Sequence, residues 1–477
     1  MKRTILSLAA GAALLSAPAF AQDFPATPPR PQGAPRIDLP EPQRMRLPNG
    51  LTVMYVRQAE LPVVSAVLVT RGAGSADEPA EISGLASFTA NMLDEGAAGM
   101  DALALADALD LLGASLSTSS GADAAQANLY VLRQNFPRAL QLMADVVIRP
   151  DFPEREVSRL RDERLTALAR SRDEATVIAN NAFASLVYGG QHPYGRYAIA
   201  ETTRGLDRPR VQAFHASRYR PENSTLILVG DVDPAAMQPM IAQAFGGWRA
   251  QGAAMQLAQP PRAPTIGRTT VYLIDKPGAA QSEIRIGHPG VARSNPDFYP
   301  LTVMNTMLGG TFTSRLNTNL RETHGWAYGA RSSFQMLRGE GPFTAASGVQ
   351  TNATDSALVE FFRELNRLRT EPVSAEELQK IKNFVALRLP DQLETTQDMA
   401  TQLATLETYG LDASFYEDYV QRVMAVTAED VRRVANQYVR PENSVVVIVG
   451  DRATVEAGIR AANVGNVEIR DVTEFIR

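Results

Sequence analysis

The chain has 477 residues, a formal net charge of −5 and no cysteine, and 45% of its residues are hydrophobic. This composition is that of a folded globular protein and excludes extensive disorder. Because the net charge is small and no long basic run occurs, nothing in the sequence favours nucleic-acid binding. Without cysteines, the fold has to be stabilised by packing rather than by disulfides.

The first residues predict an export signal. A basic pair precedes the apolar run 5–15, and Ala19 and Ala21 are the small residues that a signal peptidase recognises. We therefore expect residues 1–21 to form a signal peptide that is cleaved after Ala21, and we expect a periplasmic protein. The apolar run is too short for a membrane anchor, and no later run reaches the length of a membrane span.

A proline-rich segment and an internal repeat organise the rest of the chain. Residues 22–44 contain seven prolines, which predicts an extended tether, with ordered structure beginning near Met45. The sequence Arg-Pro-Glu-Asn-Ser occurs at 220–224 and again at 440–444, and each copy precedes an apolar run that ends in Gly-Asp. This repeat indicates a duplication, and the apolar runs predict strands that are buried on both faces.

The duplication predicts two similar halves, residues 45–250 and 267–477, joined by a proline-rich linker at 251–266. In each half, hairpin signals come first, then long helical stretches, then the terminal apolar strand. This order predicts an α+β fold in which a mainly antiparallel sheet carries helices on one face.

One predicted helix has an unusual sequence. The segment Ser-Gly-Leu-Ala-Ser-Phe-Thr-Ala-Asn-Met-Leu-Asp-Glu-Gly at 83–96 predicts an amphipathic helix that is entered through its first Ser or Gly. Its apolar side would consist of Leu85, Phe88, Met92 and Leu93.

This segment resembles the zinc helix of the insulinase/pitrilysin family, G-L-A-H-F-x-E-H-M-L-x-x-G. In that family the two histidines bind zinc and the glutamate polarises the attacking water. The matching positions are Ser87, Ala90 and Asn91. Serine is a poor zinc ligand, alanine has no acid–base function, and asparagine is a neutral amide. The resemblance therefore implies a degenerate zinc site.

An acidic pair lies on the helix predicted after Asp151, which is a candidate N-cap. Glu156 and Glu163 are seven residues apart and share one face of this helix. By the same resemblance, Glu163 matches the third zinc ligand and Glu156 a residue that supports it. From the residues alone, a solvated acidic stripe on an arginine-rich helix is the alternative.

Other catalytic motifs are missing from the sequence. The four histidines, at 192, 215, 288 and 324, are scattered without ligand spacing, and we interpret each as a surface or loop residue. The glycine-rich segment 309–314 lacks the Gly-Lys-Ser/Thr of a phosphate loop, and no G-x-S-x-G follows a strong strand. We therefore predict no metal and no cofactor in this chain.

Residues 308–333 are similar to the second-domain signature of the same family, G-G-x-x-x-S-R-L-x-x-x-L-R-E-x-x-G-x-A-Y. By this resemblance, Arg321 and Tyr328 reach a zinc site, bind the peptide backbone and stabilise the tetrahedral intermediate. An arginine offers a fixed charge with forked donors, and a phenol can donate to a developing oxyanion. Without the resemblance, a capping arginine and a core tyrosine are the alternative.

The resemblance covers roughly residues 45–460 and implies one half of a clamshell. In two-chain members, one subunit carries H-x-x-E-H and the other carries the Arg/Tyr pair. The resemblance thus implies the non-catalytic subunit of a periplasmic zinc peptidase heterodimer, with zinc in the partner and a peptide as substrate. A stand-alone peptide-binding or assembly protein, and an active peptidase with unusual ligands, remain as alternatives.

Overall fold

The structure, a computed structural model, describes residues 42–252 and 257–476. The predicted signal peptide and nearly all of the predicted tether lie outside the described residues. The first described strand begins at Gln43, two residues before the predicted start at Met45. No helix in the described ranges is long and apolar enough to cross a membrane.

The first half consists of strands and helices that alternate in groups along the chain. Its strands are β1 Gln43–Arg46, β2 Thr52–Arg57, β3 Val63–Arg71, β4 Gly96–Ala97, β5 Met100–Asp101, β6 Ser115–Ser120, β7 Ala124–Leu132 and β8 Ser224–Gly230. Its helices are α1 Leu85–Asn91, α2 Ala102–Leu111, α3 Phe136–Ile148, α4 Glu154–Ser171, α5 Ala175–Tyr188, α6 Ala200–Arg204, α7 Arg208–Arg218 and α8 Pro234–Phe245.

The second half also contains both strands and helices. Its strands are β9 Thr270–Asp275, β10 Gln281–Pro289, β11 Ala327–Phe334, β12 Pro342–Gln350, β13 Val445–Gly450 and β14 Asn466–Arg470. Its α-helices are α9 Phe298–Asn305, α10 Arg315–Asn317, α11 Thr354–Thr370, α12 Ala375–Asp391, α13 Thr396–Tyr409, α14 Tyr419–Ala425, α15 Ala428–Tyr438 and α16 Arg452–Ala462. Two π-helical segments, Thr306–Gly310 and Thr318–Thr323, follow α9 and α10.

The two main sheets place five strands in the same order and differ in one edge strand. The first sheet is β1-β2-β8-β3-β7-β6 and the second is β14-β9-β13-β10-β12-β11. The strand that differs is β1, the first of its half and antiparallel to its neighbour, in the first sheet, and β14, the last of its half and parallel to its neighbour, in the second. In both, the strand that follows the Arg-Pro-Glu-Asn-Ser repeat pairs parallel with one neighbour and antiparallel with the other. The strands that follow the two copies thus take equivalent places, which confirms the two-half α+β fold predicted from the repeat.

Each sheet is covered on both faces. Helices of its own half cover one face, with α3 on β7 and α11 on β12. The other face is covered by an exchanged helix, because α5 packs on β10 and β13 while α13 packs on β3 and β8. Every residue of β8 and β13 is consequently buried, as their apolar sequences predict.

A polar contact between the halves reinforces this exchange. Arg338, in the β11–β12 connection, donates to both carboxylate oxygens of Asp77 at 3.0 and 2.9 Å. Its backbone N–H donates to Asp123 at 2.8 Å, and the Tyr194 hydroxyl donates to the same carboxylate at 3.1 Å. Burial raises the pKa of Asp77, and the Arg338 charge opposes that rise. These contacts and the exchanged helices fix one half against the other.

Candidate functional site

Helix α1 follows a glycine, and a buried carboxylate accepts hydrogen bonds from its N-terminal backbone. Gly84 has φ +96°, a conformation that favours glycine. The two oxygens of Glu78 accept hydrogen bonds from the backbone N–H groups of Gly84 and Ala86, each at 2.9 Å. A negative charge at a helix N-terminus is stabilising, although burial raises the pKa of Glu78.

The apolar side predicted for this helix is confirmed, since all four of its residues are buried: Leu85, Phe88, Met92 and Leu93. The helix itself is shorter than the predicted segment. It ends at Asn91, which is the last of the three zinc-motif positions.

The three zinc-motif positions serve local contacts. The Ser87 hydroxyl donates to the Gly84 carbonyl at 3.1 Å. Ala90 is fully buried, and its carbonyl accepts from the Thr118 hydroxyl on edge strand β6 at 2.8 Å. Asn91 is exposed at the end of the helix. Ser87 and Asn91 lack the imidazole nitrogen with which histidines at these positions bind zinc, and Ala90 lacks the carboxylate that polarises the attacking water.

A cation lies beside the first motif position. Arg164 of α4 donates to the Gly84 carbonyl at 2.9 Å, and the same nitrogen is 3.3 Å from the Ser87 hydroxyl. Its guanidinium carbon is 5.2 Å from the centre of the Phe88 ring. Burial lowers the pKa of Arg164, and the Glu78 charge opposes this. A fixed positive charge at this place would repel a divalent cation.

A second cation occupies the acidic end of the site. Arg159 donates to Glu156 at 2.5 Å, to Glu163 at 2.8 Å and to Glu95 at 2.6 Å. These hydrogen bonds raise the pKa of Arg159 and hold the pKa of Glu156 below its ordinary value. The two acids predicted to share a face therefore do so, and both are paired with the arginine between them.

These residues do not fit a zinc ion. The carboxylate that matches the third ligand, Glu163, is held by Arg159, and the position that matches the first ligand adjoins Arg164. Across the described ranges, no group of three or more His, Cys, Asp or Glu side chains is placed to hold a metal.

The predicted N-cap of α4 is wrong. The helix begins at Glu154 with Pro153 as its N-cap residue. Asp151 instead accepts a hydrogen bond from the backbone N–H of Gly99 at 2.8 Å. Phe152 has φ +46°, so the chain turns before the helix starts and directs the aspartate away from it.

The surface-or-loop interpretation of the histidines is wrong for those in regular elements. His288 is fully buried in β10, where burial lowers its pKa to about 4. His215 lies on α7 and contacts the Val147 carbonyl at 2.8 Å. His192 is in a loop as expected, but it is buried. His324 is exposed and stacks on Trp326. Each has its own neighbours, so the four are not ligands of one site.

The structure brings Arg321 and Tyr328 together. Arg321 lies in the second π-helical segment, and its guanidinium carbon is 5.1 Å from the centre of the Tyr328 ring. Tyr328 is 88% exposed on edge strand β11, so it is not a core tyrosine. In this strand a bulge places Tyr328 and Gly329 opposite Gly348, and such bulges re-aim side chains.

An aromatic residue that the sequence analysis missed completes this cluster. Phe312 is 61% exposed, and its ring centre is 4.3 Å from the Arg321 guanidinium carbon. The arginine therefore contacts two exposed rings, an arrangement favoured by cation–π attraction. Phe312 lies in the glycine-rich segment 309–314, which had been tested only as a phosphate loop. A phenylalanine within a glycine-rich segment was the signal that the sequence offered.

Two protein-family models match the chain. Residues 53–192 match the model of the insulinase family, peptidase family M16. Residues 205–385 match that of the peptidase M16 inactive domain. Together the two matches span about two thirds of the chain.

Similar sequences include proteins named as zinc proteases. One, an uncharacterized zinc protease of Mycobacterium leprae, is 26% identical over 412 residues, which are 85% of this chain and 91% of that protein. Another, the uncharacterized zinc protease YmxG of Bacillus subtilis, is 22% identical over 407 residues, 85% of this chain and 98% of that protein.

Solved structures share the fold. The peptidase M16 inactive domain from Pseudomonas fluorescens has a TM-score of 0.80 at 26% identity, covering 86% of this chain and 98% of that one. The periplasmic protease PqqL from Escherichia coli has a TM-score of 0.74 at 15% identity, covering 93% of this chain and 50% of that one. This chain therefore belongs to the insulinase family of peptidases, peptidase family M16, and has the two-domain fold of one half of that family's clamshell.

Proposed function

We propose that this chain is the zinc-less subunit of a two-chain periplasmic peptidase and supplies Arg321 and Tyr328 to the active site of a zinc-bearing partner. The observation that carries the proposal is the exposure of this pair. Tyr328 is 88% exposed, and Arg321 is held between its ring and that of Phe312. Side chains held in this way at the surface are suited to contact a second molecule.

The chemistry of the pair suits a peptide bond under attack. The Arg321 guanidinium offers several N–H donors and a charge that does not titrate, so it can hold a peptide carbonyl. The Tyr328 hydroxyl can donate to the oxygen of the scissile carbonyl, where negative charge develops in the transition state. The metal, and the water that attacks, would come from the partner.

The same proposal predicts that the purified chain alone neither retains zinc nor cleaves peptides. The pairing of Glu163 with Arg159, and the position of Arg164 beside Ser87, support this expectation. Dialysis followed by elemental analysis tests it. About one equivalent of retained zinc, with chelator-sensitive cleavage, would instead favour an active peptidase with unusual ligands.

Reconstitution tests the proposed function directly. The mature chain is mixed with a family member that has an intact H-x-x-E-H motif and is encoded beside it, and complex formation is measured by size. We expect peptidase activity well above that of either component. If the complex forms but activity does not rise, the stand-alone peptide-binding or assembly alternative is favoured.

Export is a separate part of the proposal. The predicted signal peptide supports it, and one protein of similar fold is described as a periplasmic protease. Cell fractionation with an antibody to the chain would test it, with the periplasmic fraction expected to contain a product shortened by 21 residues.

A further inference from the structure

A cavity of about 360 Å³ lies between α5 of the first half and the strands β10, β11 and β12 of the second. Three arginines line it: Arg196, Arg285 and Arg331. Among the described residues that line it, none is an aspartate or a glutamate. The cavity therefore combines three positive charges with walls that carry no negative charge.

The three arginines differ in how their donors are used. Arg285 is only 4% exposed and donates to Asn180 at 3.0 Å and to Glu283 at 2.8 Å. The Nε of Arg196 is buried and has no hydrogen-bond partner in the part of the chain that the structure describes. Arg331 is exposed on β11, and its side chain pairs with no described residue.

Neighbouring carboxylates neutralise this group only in part, because Arg285 has an ion-pair partner whereas Arg331 has none among the described residues. Glu283 is already paired with Arg285, and Glu78 attracts Arg196 while its own oxygens accept from the start of α1. Asp77 and Asp123 are bound by Arg338. Like charges repel more strongly where water is partly excluded. A bound anion would relieve this repulsion and satisfy the unpaired Nε of Arg196.

Apolar side chains decide what kind of anion fits. Phe183, Tyr188 and Leu337 also line the cavity, so it suits a charged group attached to an apolar body. Forked guanidinium donors match the planar geometry of a carboxylate. We propose that this cavity binds a carboxylate on an apolar body, supplied by the C-terminal residue of a peptide.

The position of the cavity supports a peptide as the source. Arg331 follows Tyr328 by three residues on β11, a distance of roughly 10 Å at about 3.3 Å per residue. A peptide at Tyr328 needs only that length to bring its end beside Arg331. The peptide source rests on the proposed function, whereas recognition of a carboxylate by the three arginines does not.

Direct binding to the isolated chain tests the proposal. The probe is an N-terminally labelled hexapeptide ending in phenylalanine, compared with its C-terminal amide by fluorescence anisotropy. We expect the free acid to bind at least tenfold more tightly than the amide. Arg331→Gln should weaken binding of the acid by about tenfold or more, because it removes a charged donor. Arg57→Gln, at the exposed end of β2, is the matched control and should leave the affinity unchanged.

Recognition of a carboxylate by this cavity would be overturned by equal binding of acid and amide, or by equal affinities of Arg331→Gln and Arg57→Gln. An amidated peptide with an internal glutamate is a third probe. If it binds as tightly as the free acid, the assignment to a peptide C-terminus is overturned. Since no partner subunit takes part, failure of reconstituted peptidase activity would leave these measurements unaffected.

Discussion

The degenerate zinc helix in the first half and the Arg/Tyr cluster in the second differ in what their side chains face. At the zinc helix, Arg159 pairs with three carboxylates of its own chain, and Arg164 contacts Gly84 and Ser87. At the cluster, Tyr328 is largely exposed, and Arg321 contacts aromatic rings. The first site is closed by internal contacts, whereas the second faces outward.

The contacts of Arg159 indicate how the first site is stabilised without a metal. Glu95, Glu156 and Glu163 would repel one another if left unpaired, and Arg159 supplies the opposing charge. Because Glu95 follows α1 while the other two glutamates lie on α4, the arginine links the same segments that a zinc ion would link. One arginine offsets part of the negative charge of the three glutamates but supplies neither the geometry nor the chemistry of a metal.

The strongest test of the outward-facing site is Tyr328→Phe in a reconstituted complex. The change removes only an exposed hydroxyl, so folding and pairing should be retained. If that hydroxyl donates to the oxyanion, kcat should fall by roughly 10²–10³-fold, the usual effect of losing one such donor. Steady-state kinetics of the assembled complex give the value.

Tyr130→Phe is the matched control for this prediction. Tyr130 lies half-buried on β7 of the first half, away from the cluster in sequence and sheet. It should leave kcat unchanged. Full activity in a correctly assembled Tyr328→Phe complex would remove the catalytic role and favour a scaffold.

The closed site can be tested by rebuilding it. Ser87→His, Ala90→Glu and Asn91→His restore the motif, but the internal cations should keep zinc affinity low. Adding Arg164→Met removes the charge beside position 87 and keeps an apolar stem near the helix. We expect zinc to bind at least about tenfold more tightly to this fourfold variant than to the triple variant, because charge repulsion over a few ångströms is worth more than 1 kcal/mol.

Arg161→Met added to the same triple variant is the control. Arg161 lies on the same helix but donates to the Leu206 carbonyl, away from the motif. Isothermal titration with zinc compares the variants. If the two additions have equal effects, Arg164 does not control the site. If no variant binds zinc, either Glu163 does not match the third ligand or its pairing with Arg159 keeps it from the metal.

Much of the fold could be predicted from the sequence because it depends on a repeat and on continuous apolar runs. The repeat at 220–224 and 440–444 predicted the duplication, and the apolar runs after it predicted the buried strands β8 and β13. The exchange of α5 and α13 between the halves could not be predicted. An apolar helix face shows that it will be buried, but not which sheet will bury it.

The candidate site divides in a similar way. The proximity of Arg321 to Tyr328 and the shared face of Glu156 and Glu163 followed from motif and helix spacing. Arg164 could not be placed, because its contact with Gly84 depends on the packing of α4 against α1. The N-cap at Asp151 was mispredicted because the positive φ of the next residue leaves no signal in the sequence.

Phe312→Ala tests the outward-facing site and is expected to lower activity less than Tyr328→Phe. Among the described residues, the Arg321 guanidinium contacts two aromatic rings, those of Phe312 and Tyr328. A cation–π contact at an exposed site is worth about 0.5–1 kcal/mol, so kcat/KM of the complex should fall by roughly two- to fivefold. Phe312→Tyr keeps a ring and should restore most of the activity. Equal loss in both variants would argue against a role for the ring in positioning Arg321.

The smallest expected effect concerns the pH dependence of the closed site. Hydrogen bonding to Arg159 holds the pKa of Glu156 below its ordinary 4.5. Its contribution to the free energy of unfolding is therefore present above that value and is lost as pH falls through the lowered pKa.

Glu156→Gln should destabilise the chain by about 1 kcal/mol or less at pH 7, as expected for a partly exposed ion pair. Because a protonated glutamate resembles glutamine, the two proteins should converge in stability as the pH falls through the lowered pKa of Glu156. Urea unfolding from pH 7 to pH 3 measures the difference in the free energy of unfolding. Glu322→Gln, beside Arg321, is the control from the outward-facing site. A difference that stays constant across this range would show that Glu156 stabilises the closed site without its charge.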